Sequence, residues 1–72
     1  MTYELTNQEK TEVVNQHLKN AEYSLFNLNL SLIEEQAVAT PNAANISSIN
    51  AQITEVTARK TALLAELADL AE

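Results

Sequence analysis

A chain of 72 residues makes one domain at most, near the size at which a single core is barely sufficient. It contains no Cys and no Gly, so disulfides, thiolate metal sites and glycine-rich phosphate loops are excluded. The formal charge of −6 leaves too few basic residues for a nucleic-acid or anionic-membrane surface, and it is also what plain solubility requires.

Residues 1–5 read as a short lead-in with neither the basic start nor the apolar stretch of a signal peptide. No segment approaches the ~20 apolar residues needed to cross a bilayer, so a cytoplasmic location is expected. Thr6-Asn7-Gln8-Glu9 has the pattern of a capping box. The Thr6 hydroxyl can accept from the Glu9 amide while the Glu9 carboxylate reaches back to the Thr6 amide. A first helix is therefore expected over 6–39.

Along it, Val14, Leu18, Ala21, Leu25, Leu28 and Leu32 recur at alternating spacings of four and three, the stripe of a coiled-coil seam. Residues 25–32 also alternate apolar and polar as a strand would. The unbroken heptad through them and the lack of flanking turn residues favour helix. Tyr23, Phe26, Leu30, Ile33 and Ala37 form a second apolar stripe, roughly 130° round the helix from the first. One partner helix cannot cover both.

Thr40-Pro41-Asn42 reads as the turn. Thr40 is a suitable N-cap, and Pro41 at the first helical position loses no hydrogen bond because that amide is unpaired in any case. Proline also pushes the preceding residue out of helical geometry. So short a connection makes the helices antiparallel neighbours.

A second helix follows over 43–72. Its seam is Ile46, Ile49, Ile53, Val56, Lys60, Leu63, Leu67 and Leu70, aliphatic except at Lys60. Folding the chain at the turn pairs residues whose numbers sum to about 82, so Lys60 lands beside Ala21 and Glu22. Two readings stand for Lys60: a polar seam residue that fixes register, or an exposed lysine in a loosened stretch. Ala44, Ala51, Ala58 and Ala65 repeat every seven residues away from this seam. They serve either helix propensity alone or close approach by another helix.

The expected fold is all-α, an antiparallel coiled-coil-like hairpin. Its second stripe and alanine face suggest assembly into a four-helix bundle, most simply as a homodimer. The interface expected from the sequence comprises Tyr23, Phe26, Leu30, Ile33, Ala37, Ala44, Ala51, Ala58 and Ala65.

No catalytic constellation is present. His17, the only histidine, lies near the seam edge with no Glu-x-x-His partner and is expected to be partly buried. The adjacent Glu34 and Glu35 point in different directions on a helix and cannot act as a paired acid and base. No Ser or Thr sits in an arrangement that would activate a nucleophile. Tyr3 and Tyr23 read as anchors with one wet end. No cofactor or metal is expected, and enzyme activity is not.

Three classes of function fit: a self-associating assembly module, an acidic adaptor or inhibitor docking a groove on a host protein, and a nucleic-acid mimic. The mimic needs carboxylates in a dense row, whereas Glu12, Glu22, Glu34, Glu55, Glu66 and Asp69 are spread out. Thr6–Lys10, the segment Gln16–Tyr23 and the turn Ala39-Thr40-Pro41-Asn42 resemble small hairpin proteins encoded by tailed phages of marine cyanobacteria. The likeness covers most of the chain. It implies an accessory or virion-associated protein and transfers no functional residue. The Trp-x-Gly motif of another class of small helical hairpins is absent.

Overall fold

The structure is a computed structural model that describes residues 4–71. Two helices account for nearly all of it, α1 over Asn7–Ala37 and α2 over Ala43–Leu70. They pack against each other along an elongated body of 59 × 20 × 16 Å. Expectations for Met1, Thr2, Tyr3 and the final Glu72 lie outside the described residues.

The start of α1 follows from its local chemistry. Thr6 is the N-cap in extended geometry. Its Oγ1 accepts from the Glu9 amide at 3.1 Å, and Glu9 Oε1 accepts from the Thr6 amide at 3.0 Å. Both bonds satisfy amides that the first helical turn cannot pair internally. The stretch 25–32 is continuous helix, with Ser31 Oγ donating back to the Asn27 carbonyl at 3.1 Å.

The turn differs from the sequence expectation in two respects. The first helix ends at Ala37 rather than at 39, because Val38 leaves helical space at φ −74° and ψ 157°. The cap of the second helix is Asn42, not Thr40, and Pro41 precedes the cap instead of occupying the first helical position. The physical reason is span. Side-by-side helices are about 8–10 Å apart, and no described residue of the turn takes a left-handed φ that would reverse the chain sharply. Residues 38–42 therefore cross the gap in bent and extended geometry.

Asn42 then satisfies two amides at once. Its Oδ1 accepts from Ala44 at 2.9 Å and from Asn45 at 3.1 Å. Its own amide donates to Glu35 Oε1 at 3.0 Å, tying the end of α1 to the start of α2. One residue thus caps the helix and closes the hairpin.

The packing has no interior. No described residue is fully buried. Accessible surface totals 5560 Å², against about 4,400 Å² for a compact monomer of this mass. The radius of gyration of 16.8 Å also exceeds the ~11 Å of a globular chain this long. Two helices share one line of contact and leave everything else wet.

Candidate interaction surface

All fourteen residues of the two sequence stripes, Val14 through Leu32 on α1 and Ile46 through Leu70 on α2, are half-buried. Each of their immediate neighbours is exposed. The structure therefore brings the two stripes together as one seam. Besides Glu9 in the capping box, two further half-buried residues, Thr11 and Glu35, extend the α1 line by one position at either end. Sequence reasoning passed over them because they are polar, although both keep the three-residue step. Their polar atoms are used locally: Thr11 Oγ1 donates to the Asn7 carbonyl at 2.8 Å, and Glu35 accepts from the turn.

Lys60 does pair with Glu22, its Nζ meeting the Glu22 carboxylate across the seam. The lysine stem lies over the seam and the charge sits at its edge, with side-chain exposures of 35% and 56%. So wet a pair contributes at most about 1 kcal/mol, and its effect is on register more than on stability. Glu55 and Arg59, one turn apart on α2, form a second pair at 2.5 Å with both side chains exposed.

The outer face of α1 carries the large apolar groups that the seam does not use. Tyr23 is 61% exposed, Phe26 64%, Leu30 39% and Ile33 61%. Four such side chains in one row form a contiguous patch of the kind that marks interaction sites. Lys19 Nζ lies 6.0 Å from the centroid of the Tyr23 ring. A shallow depression of about 340 Å³ is lined by Lys19, Glu22, Tyr23 and Phe26. Its rim combines one basic and one acidic group around an aromatic floor.

Ala37 and the alanines of α2, Ala44, Ala51, Ala58 and Ala65, are exposed as well. Those four stand almost directly behind the α2 seam, while the α1 stripe lies roughly 130° round from the α1 seam, toward the side of Glu22. The two rows therefore face outward on opposite edges of the hairpin. The structure does not bring them together into one surface.

His17 departs from expectation. It is exposed rather than partly buried and lines an open groove with Asn20, Ala21, Ser24, Val56, Arg59 and Leu63. The groove continues along the same side of the hairpin past Asn27, Gln52 and Glu55, and then Ser31, Glu34, Asn45 and Ser48. Polar and apolar groups share it, with Leu28, Val38, Ile49, Val56 and Leu63 also among the lining residues. Among the described residues no group of three or more His, Asp or Glu side chains converges to hold a metal ion. No helix is long and apolar enough to cross a membrane among those residues. No protein-family model, curated protein or solved structure matches this chain.

Proposed function

We propose that this chain is a non-enzymatic helical interaction module that self-associates through apolar helix faces, most simply as a two-fold homodimer of four helices. The observation that carries the reading is the row Tyr23, Phe26, Leu30 and Ile33, exposed on a hairpin with no buried core among its described residues. The hairpin exposes about 1,100 Å² more surface than a compact monomer of its mass. Burying a row of large side chains is the readiest way to recover the missing apolar contact. The resemblance to small phage-encoded hairpins suits a structural accessory part, in the cytoplasm or within a virion.

The test is sedimentation over a concentration range reaching high micromolar, with circular dichroism on the same samples. A helical dimer or tetramer that forms with rising concentration is the expected result. A helical monomer throughout overturns self-association. That outcome favours the second reading, an acidic adaptor or inhibitor docking the same row in a groove on another protein. The net charge of −6 supports that alternative if the groove has a basic rim.

A further inference from the structure

The two candidate faces are not equivalent, and the difference dictates how two copies can meet. The broad sides of the hairpin, between its outer edges, carry many polar groups with isolated exposed apolar ones, such as Val38 on one side and Leu64 on the other. One carries Asn20, Ser24, Asn27, Gln52, Glu55 and Arg59 along the grooves already described. The other carries the Glu22–Lys60 pair and the threonines Thr54, Thr57 and Thr61, each bonded to its own helix backbone. Stacking hairpins broadside into a square bundle would strip water from these groups without giving them apolar partners. Contact through the outer edge of α1 buries the apolar row instead.

Resting on the self-association reading above, we propose that two copies join edge to edge through α1. The two α1 helices run antiparallel about a two-fold axis close to Leu28. The four helices then follow in the order α2, α1, the second α1 and the second α2, in a layer bowed because the row lies roughly 130° rather than directly opposite the seam.

The spacing of the row carries the register. Tyr23, Phe26, Leu30 and Ile33 are separated by three, four and three residues, which reads the same in both directions. An antiparallel copy therefore seats Phe26 beside the partner's Leu30 and Tyr23 beside the partner's Ile33. On the margins, Asn27 meets the partner's Asn27 on one side, and Asn29 meets the partner's Asn29 on the other. A carboxamide both donates and accepts, so each can pair with its own copy.

The same alignment sets Glu22 opposite the partner's Gln36 and Glu34 opposite the partner's Asn20. No like charges meet across the contact. A parallel alignment instead places Lys19 against the partner's Lys19 in the line of the row. That repulsion selects the antiparallel arrangement.

Area agrees with a contact of modest strength. Taking roughly 200 Å² for each side chain, the row exposes about 450 Å² per copy at the fractions given above. With the asparagine margins, complete burial of the row in two copies reaches at most about 1,000 Å², the size of a weak or transient interface. The alanine edge of α2 takes no part.

The chain has no Cys, so single cysteines placed at Asn15, Asn27 and Gln36 give unique spin-label sites. Distances within the dimer are read by double electron–electron resonance, with sedimentation of the unlabelled and labelled chains alongside. At 1.5 Å per residue from an axis at Leu28, the expected separations are about 40 Å, 15 Å and 25 Å in that order. A minimum near Asn27 that lengthens on both sides is the signature of the axis. Short distances at all three sites mean a parallel pair and overturn the proposal. Separations beyond ~30 Å at Asn27 place the contact on another face, overturning the proposal while self-association stands. A monomeric unlabelled chain overturns both.

Discussion

Replacing Asn42 by alanine removes a side-chain oxygen that accepts from Ala44 at 2.9 Å and Asn45 at 3.1 Å. The bond from the Asn42 amide to Glu35 survives, because the backbone supplies its donor. The loss is thus confined to the cap, and caps of this kind are worth about 1–2 kcal/mol. For a domain of this length each kcal/mol moves the midpoint by about 4–8 °C, so Asn42→Ala should lower Tm by about 10 °C.

Thr40→Ala is the control. Thr40 is exposed and its side chain bonds to no described residue, so its replacement should cost under about 0.5 kcal/mol. Both variants are melted beside the parent chain at one fixed concentration, followed by circular dichroism at 222 nm. Fixing the concentration removes any contribution from association. If Thr40→Ala proves as costly as Asn42→Ala, or more so, the helix is capped where proline suggests it should be, and the account of the turn is wrong.

Further outcomes follow from the seam and the outer face. Phe26→Glu with Ile33→Glu places two charges in the exposed row without touching the seam, and it should abolish concentration-dependent association in sedimentation. Lys60→Leu exchanges an ion pair worth at most about 1 kcal/mol for an aliphatic seam contact, and it should raise stability by about 1 kcal/mol in urea titration. Thr6→Ala opens the capping box and should cost about 1 kcal/mol, with faster amide exchange confined to the first turn of α1. Glu35→Ala frees the Asn42 amide to water. A loss of about 1 kcal/mol is expected in urea titration, while Glu35→Gln, which keeps an acceptor, should behave nearly as the parent.

The sequence by itself determined what is local or periodic. The capping box at Thr6 and Glu9 needs only residues three apart, and the three-and-four spacing places Val14 to Leu32 and Ile46 to Leu70 each on one line of a helix. Both follow from the pitch of the α-helix, which no partner has to supply. The second stripe from Tyr23 to Ile33 was legible for the same reason.

Tertiary structure decided whatever depends on the gap between the helices. Thr40 and Asn42 are both good caps, and the distance to be crossed between the helices makes Asn42 the one that is used. Glu35 gains a role because the chain returns past it, seven residues later, and presents an amide. Whether Lys60 meets Glu22 or only water depends on register, which a stripe of similar aliphatic residues specifies weakly. The opposition of the α1 row and the α2 alanines is a tertiary fact as well. Each row is defined on its own helix, and only the packing of the seams turns the two away from each other.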